Sequence, residues 1–354
     1  MIIHVSGTPY EMGFTHGKAA AHLIRFNMGL VKQTVEAAGM PWDTYNKYLN
    51  RNLNYLKKNH PDFVEEFQGI ADGAGLTLYD IALTSISLYF QAKTLPRECS
   101  TFIARGPATL DRKTYIVKNR DMGYGVYKHV VLHRDFGDFQ TTEVHAAGTI
   151  TFPGSGMNSY GLATSQVGMW SPNVTFEVPP LREDCALDSD MIYNEAMILR
   201  SCKNVDDVIR FVDKADYLHG LDLFAIDSTR AVVFEIMIDQ KRMLQDENGI
   251  LVRTNNFVHP DYADIVPDRE TSPGIYTRYE RGMSFLQDRH GHIRFQDMLQ
   301  LAGDHENGEG CICRHGGASR AFTSYSSICV LEDRQLWTSF GPPCESLVLD
   351  TVDG

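Results

Sequence analysis

Long apolar runs are missing from this sequence. No window approaches the roughly 18 uncharged apolar residues of a membrane-crossing helix, so no span is expected. The opening residues, Met1 to Gly7, lack a basic stretch followed by an apolar run, so no secretory leader is expected. Positive charge is in deficit. With 33 Lys and Arg against 45 Asp and Glu, the formal net charge is −12. Nucleic acid is a poor partner for such a chain, because phosphate neutralisation needs clustered cations. Repeats and low-complexity tracts are also missing. The seven cysteines are Cys99, Cys185, Cys202, Cys311, Cys313, Cys329 and Cys344. An odd count scattered over a long chain is not the disulfide framework of a small secreted domain, and a reduced, cytoplasmic setting is the default.

What is present is ample core-forming material. The chain has 354 residues and is 43% hydrophobic, with 18 Phe and 16 Tyr. That length fits one large domain or two intermediate ones. The texture changes near residue 98. After a short opening strand, Ile2 to Val5, residues 1–98 read as helical. Apolar stripes run through Met12, Phe14, Ala19, Leu23 and Ile24, then Phe63, Phe67, Ile70 and Ala71. A last helix carries Ile81, Ala82 and Leu83 toward Leu88, Tyr89 and Phe90, and Pro96 sits in an exposed connection.

From Cys99 onward strands dominate: Thr101 to Ala104, Thr114 to Val117, Val130 to His133 and Thr149 to Phe152. Leu223–Ile226 and Ala231–Ile236 flank a hairpin turn. Two helices intervene, one running from Ser189 to Arg200 and one capped by Asn204. A strand pair closes the series at Ser326 to Val330 and Gln335 to Trp337. Strands, then helices, then strands favour a layered α+β sandwich over a doubly wound sheet.

Cys99 lies at that change of texture, after a proline-containing connection and at the start of a strand. An ordinary buried cysteine is a small hydrophobe. A cysteine here also fits a self-cleaving N-terminal nucleophile: if the Glu98–Cys99 bond breaks, Cys99 gains an α-amine beside its thiol. A free thiol of pKa about 8.5 is only a few per cent thiolate at neutral pH, whereas an α-amine of about 7.7–8.0 is a matched, covalently tethered base. Asn119-Arg120-Asp121 follows the next strand and offers a carboxylate, or else is a polar turn. Asn255, in Thr254-Asn255-Asn256, offers an oxyanion donor, or else is an Asn-rich turn.

The ordered series Gly7-Thr8-Pro9-Tyr10-Glu11-Met12-Gly13, His16-Gly17, Glu98-Cys99-Ser100-Thr101, Asn119-Arg120-Asp121, Gly156-Met157-Asn158-Ser159-Tyr160-Gly161, Thr254-Asn255, Arg278, Arg281, Ile312-Cys313-Arg314, Ser319-Arg320 and Gly341-Pro342-Pro343 resembles the acyl-coenzyme A:6-aminopenicillanic acid acyltransferase family, a C45 peptidase group of N-terminal nucleophile hydrolases. The resemblance implies a four-layer αββα sandwich and autoproteolysis between Glu98 and Cys99. It divides the chain into a helical 1–98 segment and a catalytic region, 99–354, that stay associated. By position it makes Cys99 the nucleophile, Asp121 the support of its amine and Asn255 an oxyanion donor. Asn119, Arg120, Ser319 and Arg320 stand nearby, to support those groups or to bind substrate. The penicillin-forming relative carries Gly before its nucleophile, whereas this chain carries Glu98.

The implied activity is amide hydrolysis or acyl transfer on a small molecule through an acyl-enzyme. No cofactor is implied beyond an acyl thioester, such as acyl-CoA, as co-substrate. A strict hydrolase of N-acyl amines and an uncleaved binding homologue remain the alternatives. No metal is expected: His305, Cys311, Cys313 and His315 give Cys-x-Cys-x-His, unlike the usual Cys-x₂₋₄-Cys spacing, and no second pair stands at ribbon spacing.

Overall fold

The computed structural model describes residues 1–37, 39, 41–86, 97–122, 127–150, 153–169, 189–215, 217, 220–237, 240–317 and 321–351. Local chemistry starts the first layer. Gly7, at φ +97°, ends β1 (Ile2–Ser6), and α1 (Pro9–Ala37) begins with a capping box. Glu11 Oε2 accepts the Thr8 amide at 2.8 Å, while the Thr8 hydroxyl accepts the Glu11 amide at 3.3 Å, satisfying donors that the first turn leaves unpaired. α2 (Trp42–Asn59), α3 (Pro61–Ala74) and α4 (Leu78–Ile86) follow. Gly75, in the left-handed conformation, closes α3.

Two sheets form the middle of the molecule. The larger runs β1-β4-β5-β6-β7-β8-β9-β10, with β4 (His129–Asp135), β5 (Gln140–Ala146), β6 (Ser155–Asn158), β7 (Ala163–Gly168), β8 (Leu221–Ile226), β9 (Ala231–Ile236) and β10 (Lys241–Gln245). β1 joins β4 in parallel, and the other pairs are antiparallel. The smaller sheet runs β11-β2-β3-β12-β13-β14 and is antiparallel throughout. Its strands are β2 (Arg97–Ala104), β3 (Tyr115–Met122), β11 (Ile250–Arg253), β12 (Phe322–Val330), β13 (Gln335–Ser339) and β14 (Val348–Thr351).

Separate apolar cores show the layering. Ile24, Phe67 and Ile70 of the first helices pack on Val130 and Leu132 of the large sheet. α5 (Ser189–Ser201) and α6 (Val205–Lys214) cover its other half through Ile198, Val208 and Val212 against Leu223 and Val232. Val131, Val144 and Phe224 meet Ile103, Ile116 and Leu336 between the sheets. α7 (Pro273–Asp288) and α8 (Phe295–Ala302) close the small sheet with Phe285 and Leu301 against Phe102 and Val117. The protein is an αββα sandwich, as expected. The 1–98 segment is built into it, since β1 is the edge strand of the large sheet.

Most local expectations stand. The hairpin pairs Ile226 with Ala231, with Asp227 Oδ1 accepting the Thr229 amide at 2.8 Å. Asn204 caps α6 by accepting the Asp207 amide at 3.0 Å. The expected strand from Thr149 is different: Gly148 has φ +90°, and Thr149 returns its amide to the Ala146 carbonyl at 3.0 Å, so β-branched Thr149 and Ile150 follow a turn. Residues 151–152, and Leu88, Tyr89 and Phe90 of the proposed last helix, lie outside the described residues.

Two features lock the helical layer down. α1 and α3 approach backbone to backbone: a Cβ at Gly17 would stand 2.2 Å from the Ile70 carbonyl oxygen, and one at Gly69 2.1 Å from that of Tyr10. Beneath them Arg134, fully buried, reaches Glu66 at 2.6 Å and Glu143 at 3.3 Å, and His145 meets Glu143 at 2.6 Å. His16 sits on this network. Burial, then the charges of Arg134 and His145, lower its imidazole to about 3, and the neutral ring accepts the Gly148 amide at 3.2 Å.

Gly17→Ala is expected to lower unfolding stability by about 1–3 kcal/mol, the usual scale of core overpacking, read from urea midpoints. A parent-like midpoint would show that the helices can part. Because the folded His16 pKa lies below the ordinary 6.5, the unfolded chain takes up the proton first. Its contribution is intact above pH 6.5 and drains as pH falls toward about 3. His16→Gln should therefore flatten the pH dependence of stability across that window, and an unchanged slope would place its origin elsewhere.

Candidate active site

β2 and β3 carry the proposed chemistry. Their register sets Cys99 against Arg120, Glu98 against Asp121 and Ser100 against Asn119. Side chains alternate across a strand, so Cys99 and Arg120 share the face toward the large sheet, whereas Asn119 and Asp121 share the face under α7 and α8. The packing agrees. Cys99 belongs to the apolar layer between the sheets, with Ile103, Ile116, Val131 and Tyr325. Asn119 donates to the carbonyls of Ala302 at 2.9 Å and Ile312 at 3.1 Å, and accepts from the Ser326 hydroxyl at 2.6 Å. It straps α8 and the 312 loop to the sheet, on the side away from the thiol.

The main chain of Cys99 is held on both sides. Its amide donates to Asn255 Oδ1 at 2.7 Å, and its carbonyl accepts from Arg278 Nη1 at 2.7 Å. Arg278, fully buried on α7, also donates from Nη2 to Asn255 Oδ1 at 3.3 Å and from Nε to the Gly274 carbonyl at 3.1 Å. Asn255 follows β11 at φ +74°, a left-handed conformation that Asn tolerates better than most residues. Its Nδ2 donates to the Gly168 carbonyl at 2.6 Å. Two donors meet its oxygen and one acceptor meets its nitrogen, so the amide can point only one way. The sequence assigned its NH₂ to an oxyanion; in this geometry the oxygen faces the Cys99 nitrogen and the NH₂ serves Gly168.

Asp121 is buried one register step from Cys99 and accepts the Thr323 hydroxyl at 2.7 Å. That hydroxyl in turn accepts the Arg314 amide at 2.9 Å. Arg120 lies beside the thiol, its carbonyl taking the Ser324 hydroxyl at 2.9 Å. The Glu98–Cys99 peptide lies inside β2, which begins at Arg97. Ser319 and Arg320 fall outside the described residues.

Three groups on the thiol side were not singled out from the sequence. Lys118 is fully buried and its Nζ donates to the Gln166 carbonyl. Burial lowers its ammonium below the usual range, and Cys99 is the strongest neighbouring group pulling it back. Glu195 on α5 is 1% exposed, and neither carboxyl oxygen has a hydrogen-bond partner among the described residues. Burial pushes its carboxyl well above the carboxylate range, against the opposing charges of Lys118 and Arg120. Tyr325 is also buried beside this group, and burial raises its phenol. The one available signal was Lys118, a charge directly after the apolar run Tyr115 to Val117. Arg278 appeared in the sequence comparison but carried no assigned role.

A cleft of about 530 Å³ opens beside this neighbourhood, lined by Tyr127, His129, Phe322, Ser324, Phe340 and Glu345 among others. Ser324 ties it to Arg120, and His129 ties it to Tyr325, whose ring centroid lies 4.7 Å away. Elsewhere, on the helix side of the small sheet, the donor atoms of His305, Cys313, His315 and Cys344 lie within 4.8 Å of one another.

Arg278→Lys cannot serve the Cys99 carbonyl and Asn255 Oδ1 together, because it lacks the planar fork. Its unfolding stability should fall by roughly 1.5–3 kcal/mol, the scale of a hydrogen bond to a charged group. Stability equal to the parent would show that the clamp is dispensable.

The chain belongs to the acyl-coenzyme A:6-aminopenicillanic acid acyl-transferase family, which it matches over residues 109–345, a span that begins after Cys99. Among curated proteins, the beta-alanyl-dopamine/carcinine hydrolase of Drosophila melanogaster is 24% identical over 161 residues, 41% of this chain and 41% of that protein. An uncharacterized protein of Archaeoglobus fulgidus is 32% identical over 92 residues, 25% of this chain and 15% of that one. The chain thus spans less than half the length of these curated relatives. Among solved structures, a variant of conjugated bile acid hydrolase from Clostridium perfringens covers 72% of this chain and 92% of its own, at 12% identity and TM-score 0.47. Penicillin V acylase from Agrobacterium tumefaciens covers 71% and 84%, at 11% identity and TM-score 0.44.

Proposed function

We propose that the protein is an autoproteolytically activated cysteine amidohydrolase or acyltransferase, with Cys99 as an N-terminal nucleophile. One observation carries this reading: the nitrogen of Cys99, the atom that scission would turn into an α-amine, is fixed at 2.7 Å by Asn255 Oδ1, with Arg278 holding the next carbonyl. A structural cysteine needs no such double anchorage of its main chain.

Activation would begin with attack of Cys99 Sγ on the Glu98 carbonyl carbon. The C–N bond breaks, a thioester forms, and the nitrogen takes the thiol proton. Water then opens the thioester, leaving a Glu98 carboxylate and a free Cys99 α-amine. The 1–98 piece stays bound, because β1 is a strand of the large sheet and Glu66 pairs with buried Arg134.

In the mature enzyme the α-amine takes the thiol proton as Sγ attacks a substrate carbonyl, and returns it to the leaving amine. Asn255 Oδ1 aims the amine by accepting one of its N–H groups. Buried Lys118 stabilises the thiolate, and Arg120 adds positive charge on the same face. Asp121 fixes the strand at the scission point through Thr323. The 530 Å³ cleft holds the acyl or amine part of the substrate. Water or an amine then receives the acyl group. A relative named a hydrolase of beta-alanyl-dopamine and carcinine supports amide hydrolysis over transfer.

Intact-mass spectrometry of freshly purified protein tests the proposal. The parent should resolve into residues 1–98 and 99–354, and Cys99→Ala should remain one species. A parent chain that stays whole, or a Cys99→Ala chain that is cut at the same bond, would sink it.

A further inference from the structure

The His305, Cys313, His315 and Cys344 group lies outside the proposed catalytic chemistry. Cys313 Sγ is 3.8 Å from Cys344 Sγ and 3.6 Å from His315 Nε2. Cys344 Sγ is 3.2 Å from His315 Nε2, and the two Nε2 atoms of His305 and His315 are 3.1 Å apart. A tetrahedral zinc with Zn–S near 2.3 Å and Zn–N near 2.0–2.1 Å spaces its ligands about 3.8 Å (S to S), 3.5 Å (S to N) and 3.4 Å (N to N) apart. Four of the six edges match that figure to within a few tenths of an ångström, and the two from His305 to the sulfurs are no longer than 4.8 Å. A disulfide requires its sulfurs about 2.05 Å apart, far closer than these.

We propose that these four side chains form a Cys₂His₂ site for Zn²⁺, a structural centre that fastens the 340–345 turn to the 304–315 segment. Four protein ligands fill a tetrahedron and leave no position for water, which is the mark of a structural centre. On binding, the two thiol protons of Cys313 and Cys344 leave to solvent, and the two thiolates neutralise the dication. Fourth-ligand Cys344 is what the local sequence pattern could not supply. Cys311, the nearer candidate, donates its thiol to the Cys313 carbonyl at 2.9 Å.

The ligands stand on pinned backbone. Cys313 donates its amide to the Asp304 carbonyl at 2.9 Å, and Arg281 holds the Asp304 carboxylate at 2.6 Å, immediately before His305. His315 bridges to Phe322, and the Glu345 amide closes a turn on the Pro342 carbonyl at 3.1 Å around Cys344. The other ring nitrogen of His315, Nδ1, lies 3.9 Å from Glu345 Oε1, a charge neighbour beyond hydrogen-bond reach.

The site has a consequence for the cleft. Phe340, Gly341, Pro342 and Glu345 form one wall of it, and Phe322 forms part of another. Zinc would join these walls. It would also steady Arg314 and Thr323, and through them Asp121, without touching substrate.

The test is metal content, which is independent of activity. Protein purified under reducing, chelator-free conditions should carry about one zinc per chain by inductively coupled plasma mass spectrometry. Cys344→Ser and His315→Ala, both at exposed positions, should lose it while keeping the parent circular dichroism. Cobalt exchanged into the parent should show thiolate-to-cobalt charge transfer and tetrahedral d–d bands, both lost in Cys344→Ser. Three results would overturn the proposal: no zinc retained after incubation with zinc chloride and desalting, zinc retained undiminished in both variants, or a Cys313–Cys344 disulfide in a non-reducing peptide map.

Discussion

The architecture of the candidate site hangs on one buried guanidinium. Arg278 reaches from α7 to the Cys99 carbonyl and Asn255 Oδ1, joining a helix, a strand and the loop after β11. No neutral side chain could do this, because the two acceptors diverge and need a planar fork of donors. A fully buried charge is costly unless every donor is used, and here the backbone and amide oxygens use them. The consequence is positional: Cys99 enters β2 with both its amide and its carbonyl committed. Its thiol is thereby fixed in the layer between the sheets.

Burial of charge recurs at each layer boundary. Arg134 with Glu66 and Glu143 ties the first helices to the outer face of the large sheet. Lys118 and Glu195 stand inside, near Cys99, with the ammonium pushed down and the carboxyl pushed up. These two groups differ in kind. The Arg134 network is paired and specifies how the helices dock. Glu195 has no hydrogen-bond partner among the described residues, so its burial adds no such bond to the fold. Lys118, by contrast, spends its ammonium on the Gln166 carbonyl.

Much of the fold was legible in local signals. Asn204 announced a cap, the Asp227 turn announced a hairpin, and the change from period 3.6 to period 2 near residue 98 marked the passage from helices to strands. Where a signal failed, the reason is specific. Thr149 and Ile150 are β-branched and read as a strand, yet the positive φ of Gly148 turns the chain before pairing can begin. Among site residues, Cys99 and Asn255 were found by position and are in direct contact. Asn119 and Asp121 were grouped with Cys99 by spacing, but strand alternation sends them to the other face. Lys118, Glu195 and Arg278 come from three distant segments, and no local pattern ties any of them to a cysteine.

The sequence by itself determined the element types, the cysteine at the boundary and the family to which the chain belongs, because those follow from periodicity, turn chemistry and ordered motifs read along the chain. Tertiary structure alone decided which atom of Asn255 meets Cys99 and which sheet face holds the thiol. It also decided that Cys344 stands beside Cys313. Those outcomes depend on register and on contacts between residues far apart in the chain, such as Arg278 and Cys99 at 179 positions, and linear spacing carries no record of them.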